Sequence, residues 1–232
     1  MENPDQQALE VLRQAERESA PAVLASSFGV EDMVLTDLID RHRLAIGIFT
    51  LDTGRLPEET YRLMQETRQR YRTPVTIYAP ERAAVEAYTA SHGPNGFYDS
   101  VALRQACCHI RKVEPLRRAL AGKSGWITGL RRQQSSTRRD LPFSEWDAEN
   151  GLRKYSPLAA WTTEEVWAYV RAHAVPYNAL HDKGYASIGC APCSRAITVG
   201  EDIRAGRWWW ENPETKECGL HPASPASMSS VS

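Results

Sequence analysis

"AVLASSFGVED", residues 22–32, predicts a short buried strand that runs into a polar loop and then into a helix. The helix is expected from about 31 to 41, so the order is strand, glycine-containing loop, helix. The same alternation recurs with a strand at 44–51 and a helix at 57–71. Alternating strands and helices predict an α/β fold, with a mainly parallel sheet and helices on both faces.

The rest of the chain continues this pattern until it becomes irregular beyond Val175. Further strands are expected at 74–79, 124–131 and 152–161. Further helices are expected at 6–19, between the strand at 74–79 and Ala90, and in a run that Cys107 and Cys108 open and that continues to about Leu120. A last helix is expected at 162–174, with Thr162 or Thr163 as its N-cap. We therefore expect one domain over 1–205 and a C-terminal segment over 206–232. Its Ser-, Pro- and Ala-rich end is predicted to be disordered from about 222.

The composition excludes several classes of protein. Of the 232 residues 42% are hydrophobic and 25% are charged, and the net charge of -1 provides no general attraction to nucleic acid or to a membrane surface. The N-terminal residues are acidic, and no stretch approaches the roughly 18 apolar residues of a membrane span. These features predict a cytoplasmic protein with no nucleic-acid or membrane partner, and a homo-oligomer is compatible with them.

Arginine is the preferred cation, with 23 Arg against 5 Lys. Its planar guanidinium pairs well with phosphate and sulfate oxygens. Three segments fall at the ends of predicted strands, where parallel sheets bind ligands: "SSFGVED" (26–32), "LDTGRLPEE" (51–59) and "GLRRQQSSTRR" (129–139). The third segment contains four arginines. Arginines at this density repel one another unless an anion offsets them, which favours a phosphate or sulfate ligand over a plain basic loop.

Four of the five cysteines form two close pairs. Cys190 and Cys193 have the x-x spacing of metal-binding or redox thiols, and Cys107 and Cys108 are adjacent. Together they supply four thiolates, the number required by a zinc ion or a 4Fe–4S cluster. Neighbouring helical residues diverge by about 100°, which suits separate iron atoms better than one tetrahedral ion. The geometry therefore favours the cluster.

Cys218 stands apart in the polar segment "ETKECGLH". Lys216 precedes it and His221 follows it, and nearby positive charge lowers the pKa of a thiol and makes it more reactive. Cys218 is therefore a candidate nucleophile. An exposed cysteine without a role is the alternative.

The motifs taken together resemble one known family. They are "SSFGVED", "LDTGRLPEETY", "CCHIRKVEPL", "GLRRQQSSTR", "YSPLAAWT", "GCAPCSR", "GRWWWE" and "KECGLH". This combination is similar to the adenylylsulfate reductases of the APS/PAPS reductase family, within the adenine-nucleotide alpha-hydrolase-like (PP-loop-like) superfamily. The resemblance covers about residues 20 to 222 and implies the same α/β fold.

The resemblance also implies a role for individual residues. It makes Cys218 the nucleophile and assigns one 4Fe–4S cluster per chain to the four paired cysteines. The implied cluster ligands are Cys107, Cys108, Cys190 and Cys193, and the implied substrate contacts are Lys112, Arg204 and Arg207 for the phosphosulfate and Ser26, Ser27 and Arg131 for the nucleotide.

The implied reaction is the reduction of adenosine 5'-phosphosulfate to sulfite and AMP, through a Cys218 S-sulfonate that external thioredoxin resolves. Relatives that use the 3'-phosphorylated substrate commonly lack the four cluster cysteines, so their presence implies the substrate without a 3'-phosphate. A phosphoadenylylsulfate or dual-specificity reductase is the alternative. An ATP-cleaving tRNA-thiolating enzyme is more remote, because residues 26–32 lack the SGGxDS pattern. A zinc module that binds nucleic acid is a further alternative, but it would need an excess of basic residues, which this sequence lacks.

Overall fold

A six-stranded sheet runs through the chain in the computed structural model, which describes residues 4–135 and 138–212. The strands are β1 (Ala22–Ala25), β2 (Gly47–Leu51), β3 (Val75–Tyr78), β4 (Gly125–Ile127), β5 (Ser144–Asp147) and β6 (Leu152–Tyr155). Their order is β3-β2-β1-β4-β6-β5, and every pair is parallel except β5 with β6. The predicted mainly parallel α/β fold is confirmed.

Seven α-helices connect and cover these strands within the described ranges. They are α1 (Pro4–Glu18), α2 (Val30–His42), α3 (Glu58–Arg70), α4 (Arg82–His92), α5 (Val101–Cys108), α6 (Glu114–Leu120) and α7 (Thr163–His173). Thr162 caps α7: its hydroxyl accepts the backbone N–H of Glu165 at 3.1 Å, and the Glu165 carboxylate accepts that of Thr162 at 2.7 Å. Such a cap stabilises a helix by about 1 kcal/mol. No helix in this part of the chain is long and apolar enough to cross a membrane.

The central strands β1 and β4 are buried on both faces: successive side chains of a strand point in opposite directions, and helices cover each side. Leu24 and Ile127 pack with residues of α1, α2 and α7 on one face. Val23 and Trp126 pack against α6 on the other. Helices therefore cover both sides of these central strands, as predicted.

The last two strands differ from the prediction. The segment 152–161 is a strand only as far as Tyr155, and β5, which was not predicted, pairs antiparallel with it at the edge of the sheet. The β5 sequence is polar, and its Trp146 side chain is 61% exposed. An edge strand of this kind lacks the apolar run by which the central strands were recognised.

The helix that carries the paired cysteines begins earlier than predicted. Ser100 caps α5 by accepting the backbone N–H of Leu103 at 3.1 Å, so Cys107 and Cys108 end this helix instead of opening it. A π-turn, His109–Val113, then leads into α6. Pro115 has no N–H to donate and its ring would crowd the carbonyl of Arg111, so an interruption of the regular ladder is expected beside it.

Candidate active site

A cavity of about 270 Å³ lies where the loops after β1, β2 and β4 meet the chain's last described segment. Ser26 and Ser27 come from the first loop, Thr53 from the second and Gly129 from the third. This is the carboxyl edge of the parallel strands, where open α/β sheets bind their ligands. Four cations line the cavity: Lys112, Arg138, Arg204 and Arg207.

The loop after β1 is shaped by its own side chains. The backbone N–H and the hydroxyl of Ser27 each donate to Asp32 at 2.7 Å, and the N–H of Phe28 donates to the hydroxyl of Ser26 at 3.2 Å. Phe28 has a φ of 60°, a region that favours glycine, and its buried ring holds it there. Ser26 and Ser27 both line the cavity, and their contact with a nucleotide stays a prediction.

Asp32 sits at the floor of this loop and was not predicted as part of the site. Burial raises the pKa of its carboxyl to about 6, although hydrogen bonds from Ser27 oppose that shift. Gly129 approaches it closely, since a Cβ at that position would lie 2.4 Å from Asp32 Oδ1. The glycine therefore lets the end of β4 pack against the start of α2.

Arg131 does not line the cavity, although the resemblance implied that it contacts the nucleotide. Its side chain is buried, pairs with Glu31 at 2.8 Å and donates to Thr163 Oγ1 at 3.3 Å. Glu31 also accepts from Gln134, which lines the cavity. Arg131 therefore lies outside the cavity and helps to position two residues that line it, Glu31 directly and Gln134 through Glu31.

Arg138 is the arginine of this loop that reaches the cavity, and sequence reasoning did not single it out. Its guanidinium donates to Gln134 Oε1 at 2.9 Å. Arg139 is exposed, and Arg132 donates to the carbonyl of Leu141 at 2.9 Å. The density of arginines indicated an anion site, but spacing does not determine which guanidinium turns inward.

Arg207 is held by a close fit to the segment that carries the second cysteine pair. Its Nε donates to the carbonyl of Cys193 at 3.3 Å, and its guanidinium lies 4.7 Å from the centre of the Trp208 ring. A Cβ at Gly189 would be 2.3 Å from the Arg207 Nη2 atom. Gly189 thus leaves the space in which the guanidinium sits.

The structure brings the four predicted cluster ligands together. Cys107, Cys108, Cys190 and Cys193 line a second, much smaller cavity, and none of them is in a disulfide. Lys112 lines both cavities.

Positive charge surrounds the four thiols. Arg55, Arg104 and Arg111 line the same small cavity. Burial opposes ionisation of Cys190, but Lys112, the hydrogen bond with Thr53 at 3.2 Å and Arg207 together hold the pKa of its thiol below the usual value. By contrast, burial and the neighbouring Cys190 raise the pKa of Cys193 to about 12.

These residues fit a sulfur-rich anionic centre. Four thiols face one cavity with a ring of cations, and the indole N–H of Trp208, which packs among them, is buried without an acceptor in the described structure. An anionic sulfur would accept from such a group. No group of three or more His, Cys, Asp or Glu within 4–135 and 138–212 is arranged to hold a single metal ion.

Cys218 lies outside the described residues, as does the end of the chain from about 222. Its role as nucleophile stays a prediction. Arg204 and Arg207, which precede it in sequence, are described and line the larger cavity.

Comparison with known proteins agrees with this geometry. A family model described as the phosphoadenosine phosphosulfate reductase domain matches residues 21–196. An adenosine 5'-phosphosulfate reductase from Allochromatium vinosum is 63% identical over 214 residues, which cover 92% of this chain and 84% of the relative.

Solved structures share the fold. A phosphoadenylyl-sulfate reductase from Candida auris, in a phosphate complex, is 30% identical with a TM-score of 0.70, covering 82% of this chain and 90% of its own. Yeast FAD synthetase in complex with FAD is 15% identical with a TM-score of 0.54, covering 83% of this chain and 67% of its own. The second similarity concerns the fold alone.

Proposed function

Because this chain belongs to the phosphoadenosine phosphosulfate reductase domain family, we propose that it is an assimilatory adenylylsulfate reductase. It reduces adenosine 5'-phosphosulfate to sulfite and AMP and is thus an oxidoreductase of sulfate assimilation. We place it in the cytoplasm, where its five thiols remain reduced.

One observation carries the proposal: a cavity lined by four cations adjoins a cluster of four thiols, and Lys112 borders both. A phosphosulfate carries negative charge on both its phosphate and its sulfate oxygens, so it needs several fixed cations. Lys112 and Arg207 supply them next to the cysteines, Arg138 supplies one on the side of the loop after β4, and Arg204 is the fourth. Ser26 and Ser27 then seat the nucleotide.

In the first step, the thiolate of Cys218 attacks the sulfur of the substrate. A bond forms between Cys218 Sγ and that sulfur, and the bond from the sulfur to the bridging oxygen breaks. AMP leaves with the electron pair of the broken bond, and Cys218 carries an S-sulfonate. The cations offset the charge that this attack concentrates on the sulfate and on the leaving phosphate.

In the second step, a thiolate of a dithiol reductant attacks Cys218 Sγ and releases sulfite. The second thiol of the reductant then displaces Cys218, so the reductant ends as a disulfide and Cys218 as a thiolate. Two electrons pass from the dithiol to the sulfur, which balances the reaction. Thioredoxin is the proposed dithiol.

Cys107, Cys108, Cys190 and Cys193 would hold a 4Fe–4S cluster. When bound, the cluster would supply a buried charged centre beside Lys112, without electron transfer to the substrate. Lys112 and Arg207 can then face sulfur on one side and the substrate's oxygens on the other.

Substrate choice is tested directly by kinetics. With thioredoxin as reductant, we expect kcat/KM for sulfite release to be at least about a hundredfold higher for adenosine 5'-phosphosulfate than for the 3'-phosphorylated form, a difference of about 3 kcal/mol. Comparable values would favour a dual-specificity reductase. Activity confined to the 3'-phosphorylated form would contradict the proposal.

Replacing Lys112 by alanine should raise KM for adenosine 5'-phosphosulfate by about tenfold to a hundredfold, because a charge-assisted contact is worth about 1.5–3 kcal/mol. The iron content of this variant should change by a much smaller factor than its KM. Lys183→Ala is the matched control, since Lys183 is an exposed lysine paired with Glu59 at 2.9 Å. A Lys112 variant that binds substrate normally but loses its iron would place Lys112 in the metal site alone.

A further inference from the structure

Arg104 and Glu211 form an ion pair that is almost completely withdrawn from water. Their side chains are 1% and 3% exposed, and two parallel hydrogen bonds of 2.8 Å join Nε and Nη2 of Arg104 to the two carboxylate oxygens. These residues are 107 positions apart in sequence. A buried pair with this geometry holds two segments of chain in one relative position, because separating it leaves a charge in an apolar setting.

The two partners belong to segments with different tasks. Arg104 lies on α5, four residues before Cys108, hydrogen-bonds the Cys108 sulfur and lines the cysteine cavity. Glu211 is next to the last residue that the structure describes before the segment carrying Cys218. The pair therefore joins the cysteine helix to the base of that segment.

Other contacts of the same stretch lead to the second cysteine pair. The N–H of Trp208 donates to the carbonyl of Cys193 at 3.2 Å, and the N–H of Glu211 donates to the carbonyl of Trp208 at 2.8 Å. The Trp210 ring lies 4.4 Å from that of Tyr98, whose hydroxyl donates to the carbonyl of Pro192. Residues 208–211 thus rest on both cysteine-bearing segments.

We propose that Arg104 and Glu211 are positioning residues that fix the origin of the segment carrying Cys218 against the cysteine cluster. The inference rests on the proposed function, because Cys218 must be the nucleophile. Cys218 lies seven positions after Glu211, so an extended chain reaches at most about 25 Å from this anchor. The same base carries Arg207, which lines the larger cavity. The anchor thereby sets the point from which the thiolate approaches the substrate.

The test separates the position of the segment from substrate binding. The variant is Glu211→Gln in the iron-loaded protein, and Glu201→Gln is its matched control, since Glu201 pairs with Arg195 at 2.8 Å in the same part of the chain but is partly exposed. Three quantities are measured: the Kd of AMP, backbone amide hydrogen exchange over 206–212, and the rate of Cys218 S-sulfonation in a single turnover without reductant.

For Glu211→Gln we expect hydrogen exchange to become about tenfold faster and S-sulfonation at least about tenfold slower, because small displacements of a nucleophile are costly. The Kd of AMP and the iron content should stay within about twofold of wild type. Glu201→Gln should leave the S-sulfonation rate unchanged. Unchanged S-sulfonation despite faster exchange would overturn the proposal, as would an equal loss of AMP affinity.

A second variant covers the case in which Glu211→Gln does not fold. Glu211→Asp keeps the carboxylate and leaves Arg104 unchanged, but shortens the side chain, so the ion pair is weakened without leaving a buried charge unpaired. We expect hydrogen exchange and S-sulfonation to change together in it, in the directions given for Glu211→Gln. Slow S-sulfonation with fully protected amides would contradict the anchoring role. Absence of S-sulfonation at Cys218 in the wild type would instead refute the proposed function, while hydrogen exchange would still report on the anchor.

Discussion

Replacing Cys218 by serine should lower sulfite release from adenosine 5'-phosphosulfate by more than about a thousandfold. A serine hydroxyl is not ionised near neutral pH, whereas a cysteine thiol, with an ordinary pKa of about 8.5, forms far more of the thiolate that attacks sulfur. The four cations of the larger cavity are untouched by this change, so the Kd of AMP should stay at the wild-type value. The measurement is sulfite release with thioredoxin, accompanied by AMP titration.

The control for this variant is Ser227→Ala, a change of similar size in the same C-terminal segment, which should retain full activity. Mass spectrometry of the wild type after one turnover without reductant should find a single sulfonate, on the peptide that contains Cys218. Sulfite release near the wild-type rate in Cys218→Ser, or a sulfonate on another cysteine, would show that the nucleophile lies elsewhere.

The central strands β1, β2 and β4 could be predicted from sequence because each is a short, mainly apolar run that is largely buried. β1 and β2 were recognised in this way, and their helices followed from the alternation. The edge strand β5 lacks that signal. Its pairing with β6 depends on a contact with another strand, which the sequence of residues 144–147 does not predict.

The paired cysteines show a similar limit. Their grouping with Cys190 and Cys193 was predictable from spacing, since few arrangements use four thiols in this way. Their place at the end of a helix was not, because it depends on the cap at Ser100 and on the turn before Pro115. Local composition favours a helix throughout this region and does not mark where it begins.

The arginine loop illustrates what sequence cannot resolve about a site. Arg131 and Arg138 have the same chemistry, yet one pairs with Glu31, 100 positions earlier, and the other lines the cavity. The close approach of Gly189 to Arg207 is likewise a contact between distant loops. Spacing therefore indicated an anionic ligand, and only the fold shows which of these side chains lines the cavity.

Replacing Cys190 by serine should remove most of the iron, from about four atoms per chain to fewer than about one, and with it the brown colour. Lys112, Thr53 and Arg207 outweigh burial and lower the pKa of the Cys190 thiol, so it is well prepared to bind metal as a thiolate. A serine hydroxyl in the same place remains protonated and is a poor iron ligand. Iron and sulfide analysis of protein purified without oxygen provides the measurement.

Cys218→Ser is the matched control for this change, because it alters a cysteine without altering the cluster of four. It should retain about four iron and four sulfide per chain while losing sulfite release, whereas Cys190→Ser should lose the iron first. Loss of iron in Cys190→Ser, against loss of sulfite release with the iron retained in Cys218→Ser, distinguishes the metal site from the nucleophile. A colourless wild-type protein with one zinc ion per chain and full activity would refute the iron–sulfur assignment, since four thiolates also satisfy a single zinc ion.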